Sequence, residues 1–338
     1  MKILFSHDIP FHLAHGGSQT HIESLMRELA ALGEEVEPER WWDEKQTGDI
    51  IHYIGRRAPL VNVHLAHQKG FKVVMTEFMD MTASRPRHQL WLQRLLIRLG
   101  TRHLPAFTTR LSWESFRTVD ALIFCSPIEP PVAQYLFGAD PARCHFISHG
   151  LEADVLEALA QPEPEEDYLV SVATIAPRKR TVLLAEAAKI AGVPILFLGK
   201  PYSESDPYFQ QFRSLVDQRF VRYAGFVSEV EKQRLLRRAR GFALMSEFET
   251  GCIAVYEASA AGLPLFLSRL PWATGGYPKA RQIQFCPLDK PAAVAARLKQ
   301  FYDSAHRFSG HNFPVPTWRQ VAEQTRAVYR HVLNKAAT

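Results

Sequence analysis

The sequence has few cysteines and no long apolar segment. Its 338 residues include four cysteines, and no two of them form a C-x-x-C pair. This pattern predicts reduced, buried thiols rather than a disulfide framework or a cysteine metal site. No apolar run approaches the roughly 20 residues that span a bilayer, and the apolar residues after Met1 are too few for a secretory signal. We therefore expect a cytoplasmic protein.

Low-complexity tracts are also absent from the sequence. Hydrophobic residues make up 46% of the chain, and the formal net charge is +5. This composition is typical of a folded protein and argues against disorder. At this length the chain can form two domains, each with its own hydrophobic core.

A glycine-containing loop follows the first predicted strand. Met1–Ser6 has the apolar content of a buried strand, Gly16 and Gly17 lie in the loop, and an amphipathic helix follows up to Gly33. A glycine loop before a helix N-terminus suits a phosphate group, because the first N–H groups of a helix have no internal partner. The loop lacks the full G-x-G-x-x-G pattern, so a tight turn that needs glycine is the alternative.

Strand and helix signals alternate along both halves of the chain. Short apolar runs at 49–53, 72–76, 120–126 and 143–147 are separated by helical patterns, and the alternation starts again at 168–173. Alternation of this kind predicts parallel sheets and an α/β fold. The Pro- and Glu-rich stretch Gln161–Asp167 has no core pattern, and we interpret it as an interdomain linker.

The most informative segment is Ser246–Ser268, SEFETGCIAVYEASAAGLPLFLS. It follows an apolar strand and contains a predicted helix that Gly262 and Pro264 terminate. Glu249 lies before this helix and Glu257 lies in its early turns. Carboxylates at such a position can accept hydrogen bonds from sugar hydroxyls without a metal, and Gly251 allows a ligand to approach the backbone closely.

Three consecutive cations lie at another junction of a strand and a helix. Arg178, Lys179 and Arg180 precede the predicted helix 181–191. Together with the helix dipole, they could hold a diphosphate. A solvated basic loop is the alternative.

The helix Arg87–His103 combines arginines with leucine and tryptophan. On a helical projection four arginines fall on one side of this segment, and apolar residues occupy much of the rest. This composition is typical of helices that bind at a membrane surface, and a packed helix with solvated arginines is the alternative. The predicted membrane-binding residues are Arg87, Arg94, Arg98, Arg102 and Trp91.

The spacing of Glu249 and Glu257, with E-A-S-A-A-G-L-P after it, resembles the E-x7-E signature of retaining family-4 glycosyltransferases, the glycosyl transferases group 1. The resemblance implies a GT-B fold, an α/β fold of two Rossmann-like domains whose parallel sheets face a central cleft. It implies an acceptor domain at 1–160, a nucleotide-sugar domain at 161–310, and a C-terminal helix at 311–338 that returns to the first domain.

The resemblance also implies roles for individual residues. Glu257 would bind the ribose, Glu249 the hexose, and Lys179 the diphosphate. The family's arginine position falls on Thr174, so Arg178 or Arg180 would have to replace it. The other implied donor-site residues are Gly251, Cys252, Ile253 and Gly17, and the acceptor-side residues are Gly16, Gly17 and His21.

One part of the family pattern is missing. Where relatives have T-x-H-D, this chain has Thr76-Glu77-Phe78-Met79-Asp80, without the histidine. Glu77 and Asp80 are our candidates to replace it. This departure makes a nucleotide-sugar-binding paralogue without turnover the main alternative to an active enzyme.

The expected function is transfer of a sugar, with retention, from a nucleotide-diphosphate sugar to a glycan or a lipid-linked acceptor. We expect UDP as the nucleotide and a role in cell-surface polysaccharide or glycolipid assembly, with peripheral association at the cytoplasmic face of the inner membrane. No Asp-x-Asp motif lies where the diphosphate would bind, so no metal and no separate cofactor are expected. A nucleotide-sugar epimerase and a nucleic-acid-binding protein are the more distant alternatives, and the sequence has no nucleic-acid motif.

Overall fold

The structure is a computed structural model that describes residues 1–7, 11, 17–55 and 57–334, with the backbone alone at 80 and 105–107. The chain forms two compact units. Unit 1 contains Met1–Gly150 and the chain from Trp318 onward, and unit 2 contains Leu151–Thr317. None of the helices in the described part of the chain combines the length and the apolar content that a membrane-spanning segment needs.

The described residues of each unit form one six-stranded sheet in which every pairing is parallel. The strand order is β2-β1-β3-β4-β5-β6 in unit 1 and β12-β11-β10-β7-β8-β9 in unit 2. The strands of unit 1 are β1 Lys2–Ser6, β2 Glu35–Pro38, β3 Ile50–Ile54, β4 Lys72–Glu77, β5 Ala121–Phe124 and β6 Cys144–Phe146. The strands of unit 2 are β7 Glu166–Val172, β8 Ile195–Leu198, β9 Val221–Gly225, β10 Ala239–Leu244, β11 Leu265–Ser268 and β12 Ile283–Cys286.

Helices connect most of the strands, as parallel pairing requires. In chain order they are α1 Gly17–Ala31, α2 Leu60–Gln68, α3 Asp80–Ala83, α4 Arg87–His103, α5 Pro105–Arg110, α6 Ser115–Thr118, α7 Glu129–Phe137, α8 Ala153–Ala160, α9 Thr181–Ala191, α10 Pro207–Leu215, α11 Glu229–Arg238, α12 Ile253–Ala260, α13 Pro271–Thr274, α14 Pro291–Ser304 and α15 Trp318–Asn334. The predicted α/β class with parallel sheets is confirmed.

The central strands are buried on both faces because helices cover both sides of each sheet. In unit 1 every residue of β3 and β5 is buried, and in unit 2 the same holds for β8 and β11. The sequence shows these strands as short, mostly apolar runs rather than as alternating patterns.

The last helix, α15, belongs to unit 1. It packs against α1, and Arg326 Nη1 donates over 3.2 Å to the carbonyl of Leu32, the residue that follows α1. On β3, the buried His52 lies 2.6 Å from the Tyr329 hydroxyl and 2.7 Å from Thr76 Oγ1. Polar contacts as well as apolar packing therefore hold α15 in unit 1.

The connection between the units differs from the predicted linker. The chain leaves unit 1 at Gly150, and α8 is already part of unit 2. The predicted linker Gln161–Asp167 lies inside unit 2 and runs into β7, which starts at Glu166. Its Pro and Glu content is typical of an exposed loop, and an exposed loop can join two elements of one unit as well as two domains. Here it joins α8 to β7.

Candidate functional site

Lys179 and Glu249 form the centre of the candidate site. β7 and β10 are neighbours in the sheet, so the loops that follow their carboxyl ends lie side by side. The Glu247 N–H donates to the Arg178 carbonyl over 2.8 Å, which ties the two loops together. Lys179 Nζ donates to Glu249 Oε1, and Arg178 Nη1 lies 3.5 Å from Glu249 Oε2.

The Lys179–Glu249 pair is shielded from water. Both side chains are only 8% exposed, so their mutual attraction is much stronger than that of a surface pair. Arg178 adds a second cation to the same carboxylate, which leaves one positive charge in excess. Arg180 points to a different partner, Glu247. Of the two arginines that could replace the missing family arginine at Thr174, Arg178 is the one at Glu249.

Glu257 lies nearby along the chain on α12, a helix that is buried on nearly all sides. Burial raises the pKa of the Glu257 carboxyl, and Lys232 opposes this shift. Lys232 Nζ, on α11, lies 2.7 Å from Glu257 Oε1 and 2.7 Å from the exposed Glu229. Sequence reasoning missed Lys232, since the basic pattern of α11 does not show which of its cations turns inward.

At the start of α12 the groups open to a ligand belong to the backbone, because the cysteine there does not carry a reactive thiol. Gly251 has a φ of +65°, a conformation that favours glycine. Cys252 is the N-cap, and its N–H donates to the Tyr277 hydroxyl over 2.9 Å. Burial raises the pKa of Cys252 to about 11, so its thiol stays protonated at neutral pH. Ile253 is the first residue of the helix.

A close backbone contact fixes the loop after β7. At Gly199, which follows β8, a Cβ atom would lie 2.1 Å from the Ala173 carbonyl oxygen, and φ is +134°. Only glycine fits there without displacing the chain that leads to Thr174, which is half-buried. The sequence shows Gly199 next to Lys200, but it does not show that Gly199 lies against Ala173, which directly follows the neighbouring strand β7.

The predicted site residues of unit 1 are distributed over three elements. Glu77 is the buried last residue of β4, and its Oε1 lies 3.2 Å from Arg57 Nε. Asp80 is the first residue of α3, and only its backbone is described. Gly17 is the first residue of α1, whereas Gly16 lies outside the described residues.

His21 is buried rather than open to an acceptor. It is 2% exposed, and its Nδ1 lies 3.0 Å from Nδ1 of His149. Burial lowers the pKa of His21 well below its usual range, so this imidazole is neutral. The ligand atoms of His21, Cys125 and His149 all lie within 4.8 Å of one another, a group that could hold a metal ion. Metal independence therefore stays a prediction.

The predicted basic helix exists as α4, and it exposes its apolar side. Among the described side chains of this helix, Ile97 is the one that is buried. Arg94 is half-buried and stacks on Tyr135, with its Cζ 4.3 Å from the ring centroid. The exposed apolar side, which we call the α4 outer face, consists of Trp91, Leu92, Leu95, Leu96 and Leu99, and the exposed arginines beside it are Arg87, Arg98 and Arg102.

Residues 157–280 match the family model described as glycosyl transferases group 1. This segment contains Lys179, Lys232, Glu249 and Glu257, so the match confirms the predicted resemblance for the part of the chain that carries the candidate site. No curated protein matches the sequence.

Solved structures resemble the whole chain. Sucrose-phosphate synthase (tll1590) from Thermosynechococcus elongatus is 17% identical, with a TM-score of 0.69 and full coverage of both chains. A glycosyltransferase from Rickettsia africae ESF-5 is 13% identical over 98% of each chain, with a TM-score of 0.66. Anabaena Alr3699/HepE in complex with UDP-glucose is 13% identical over 100% of this chain and 99% of that one, with a TM-score of 0.61. These likenesses confirm the GT-B fold.

Proposed function

We propose that this chain, which has a GT-B fold and a group 1 glycosyl transferase segment, transfers a sugar from a nucleotide-diphosphate sugar with retention of configuration. The observation that carries the proposal is the buried contact of Lys179 with Glu249, with Arg178 at the other carboxylate oxygen. Two cations and one carboxylate at the carboxyl ends of parallel strands form a site with excess positive charge. Ligands of open α/β sheets bind at this edge.

The diphosphate is the group that this charge would bind. Lys179 and Arg178 would donate to its oxygens and stabilise the negative charge that grows as the sugar leaves. Stabilisation of this kind accelerates the reaction when it is stronger in the transition state than in the bound substrate. Glu249, already held by both cations, would then be placed to contact the hexose.

Glu257 would bind the ribose hydroxyls. A carboxylate accepts hydrogen bonds only, so two ribose hydroxyls suit it when it is ionised. Lys232 favours that ionised form. UDP is our proposed nucleotide, since one structural neighbour was solved with UDP-glucose.

The α4 outer face supports a membrane location for the acceptor. Five large apolar side chains are exposed beside three exposed arginines. Such a helix can bury its apolar side at the boundary of lipid headgroups and chains. We therefore propose a lipid-linked acceptor in cell-surface glycan assembly, reached by peripheral binding to an anionic leaflet.

A nucleotide-sugar-binding protein without turnover is the second candidate. Its support is the missing histidine after β4, together with the engagement of Glu77 by Arg57. The experiment that separates the two candidates measures UDP release from UDP-glucose, UDP-galactose and UDP-N-acetylglucosamine, with and without a membrane lipid extract, and repeats the assay in excess chelator.

For an enzyme we expect steady UDP release from one donor, reduced at least about a hundredfold by Lys179→Met, a loss of roughly 3 kcal/mol of transition-state stabilisation. Lys189→Met is the matched control, because Lys189 is a lysine of the neighbouring α9 that pairs with Asp217 at 3.4 Å. Binding of UDP without any release of UDP from its sugars would favour the second candidate. Absence of both would overturn the proposal.

A further inference from the structure

Three potential metal ligands meet in the interior of unit 1. His21 lies on α1, Cys125 directly follows β5, and His149 lies near the end of the segment that leads to unit 2. All three side chains are buried. One ligand atom from each of them lies within 4.8 Å of the other two, although His21 and His149 are 128 positions apart in the chain. The fold itself therefore brings two imidazoles and a thiol to one point.

The two imidazoles approach each other through the same nitrogen. Nδ1 of His21 lies 3.0 Å from Nδ1 of His149, so one ring donates a hydrogen and the other accepts it. Burial lowers the pKa of His21 well below its usual range, which keeps this ring neutral. A neutral imidazole is the form that binds metals. When the donating ring carries its hydrogen on Nε2 instead, both Nδ1 atoms can bind the same cation.

The Cys125 thiol supplies sulfur to this cluster. Among the described residues its sulfur forms neither a disulfide nor a hydrogen bond. Burial and the nearby Glu129 raise the pKa of this thiol well above its usual range, and a thiol that stays protonated is a poor nucleophile. As a ligand, Cys125 would release its proton to the solvent, and the metal–sulfur bond would take the place of the S–H bond.

Glu129 contributes negative charge beside Cys125. Its carboxylate is buried and accepts hydrogen bonds from the Met79 N–H over 2.7 Å and from the Ser126 N–H over 2.9 Å. A divalent cation with one thiolate ligand keeps one positive charge, which a neighbouring carboxylate would offset. A buried charge that is offset in this way costs much less than an isolated one.

Aromatic rings surround the two imidazoles. The Trp318 ring centroid lies 5.4 Å from that of His21 and 6.2 Å from that of His149. The Phe78 ring lies at 5.9 and 6.2 Å from the same two rings. An apolar surrounding of this kind fixes the orientation of the ligands and limits access of water to a metal site.

We propose that His21, Cys125 and His149 bind one Zn²⁺ ion, which links three distant segments of unit 1. Zinc binds imidazole at about 2.0–2.1 Å and thiolate at about 2.3 Å, which places the ligand atoms of a tetrahedral site about 3.3 to 3.6 Å apart. Side-chain movements of about an ångström bring the observed cluster to that spacing. Thiolate and imidazole ligands favour zinc over magnesium and calcium, which prefer oxygen.

This inference does not rest on the proposed sugar transfer. The three ligands belong to unit 1, whereas Lys179 and Arg178, which would hold the diphosphate, belong to unit 2. The cation would stabilise the folded state of unit 1, because a ligand that binds only the folded chain shifts the unfolding equilibrium.

The test is binding of Co²⁺ and Zn²⁺ to the full chain after a chelator has removed any bound metal. Because the cluster is buried, each cation is added both to the folded protein and during refolding from urea. The absorption of a cobalt–thiolate bond reports on sulfur ligation, and elemental analysis after dialysis gives the zinc content. Cys125→Ser and His149→Gln each remove one ligand. The matched controls are Cys286→Ser and His52→Gln, which change a buried cysteine and a buried histidine outside the cluster.

We expect about one zinc ion per chain, and the cobalt–thiolate absorption, in wild type and in both controls. Loss of a direct ligand should weaken binding by at least about a hundredfold, since loss of an outer partner of a ligand already costs ten- to a hundredfold. Zinc should raise the melting temperature of wild type and of both controls, but not that of Cys125→Ser. Magnesium at the same concentration should have no effect.

Absence of zinc binding and of the cobalt–thiolate absorption in folded wild type, under both protocols, would overturn the inference. Unchanged absorption in Cys125→Ser, equal losses in the controls, or an equal rise in melting temperature with magnesium would also overturn it. Circular dichroism establishes which variants are folded. If Cys125→Ser does not fold, His149→Gln and the absorption of wild type itself decide the question.

Discussion

Lys232 Nζ lies 2.7 Å from Glu257 Oε1 and is the cation that faces this buried carboxylate in the described part of the chain. The Lys232 side chain is 16% exposed and that of Glu257 is 6% exposed. Burial works against both charges, and the pairing offsets that cost. The ionised state of Glu257 therefore depends on a neighbouring helix and not on α12 alone.

Lys232→Met should destabilise unit 2 by about 3 kcal/mol at neutral pH, because it leaves a buried carboxylate without its cation. The pKa of Glu257 is already raised above the usual 4.5, and loss of Lys232 raises it further. The folded variant then holds a proton that the unfolded chain releases. Its stability relative to wild type should therefore fall as pH rises above the raised pKa that Glu257 has in wild type, and should recover in acid.

Urea unfolding between pH 4 and pH 8 measures this effect. Glu229→Gln removes the exposed second partner of Lys232 and should change stability by less than about 0.5 kcal/mol at any pH. A Lys232→Met profile parallel to that of wild type would show that Lys232 does not control the ionisation of Glu257.

His52 provides an opposite pH dependence in unit 1. Burial lowers its pKa to about 3, whereas the unfolded chain protonates near 6.5. Wild type should therefore lose stability as pH falls from about 6.5 toward 3, because unfolding lets this imidazole take up a proton. Thermal melts of wild type and His52→Gln across this range should converge in acid. If the difference between them is constant with pH, His52 is not the titrating group.

Gly199→Ala tests the backbone contact that positions the loop before Lys179. The added Cβ would meet the Ala173 carbonyl oxygen at 2.1 Å, so we expect a loss of about 3 kcal/mol in stability. Gly192→Ala is the control, since Gly192 also has positive φ but its nearest neighbour would lie 3.8 Å away. Its cost should be about 1 kcal/mol. Equal melting temperatures for the two variants would contradict the account of this loop.

The α4 outer face predicts binding to anionic vesicles. Arg98→Gln with Arg102→Gln should weaken co-sedimentation with phosphatidylglycerol vesicles by about 2 kcal/mol, or roughly thirtyfold. Arg94→Gln is the matched control, because Arg94 stacks on Tyr135 inside unit 1. Binding to uncharged vesicles should be weak throughout. Equal effects of Arg94→Gln and the double variant would contradict this orientation of the helix.

The sheets were predictable because their strands are short, apolar and separated by helices. The run Ala121–Phe124 shows this directly, since every residue is buried and the sequence contains four apolar side chains in a row. The boundary between the units was less predictable. A Pro- and Glu-rich loop has the composition of a linker whether it joins two units or only α8 to β7.

The candidate site was predictable only where its residues share a local motif. Glu249 and Glu257 lie on one loop and helix, so their spacing reveals them. Lys232 and Gly199 contribute through contacts between distant segments, which periodicity does not report. Arg94 was assigned to the membrane-binding side from a helical projection, but a projection does not show which side a neighbouring helix covers.

The most direct test of the account is a calorimetric titration of UDP into wild type, Glu257→Gln and Glu247→Gln. We predict that UDP binds wild type and Glu247→Gln with similar affinity. Glu257→Gln should bind at least about tenfold more weakly, since it loses charged hydrogen bonds to the ribose. Binding that is unchanged in Glu257→Gln, or no binding of UDP to folded wild type, would contradict a UDP-sugar site at Lys179, Glu249 and Glu257.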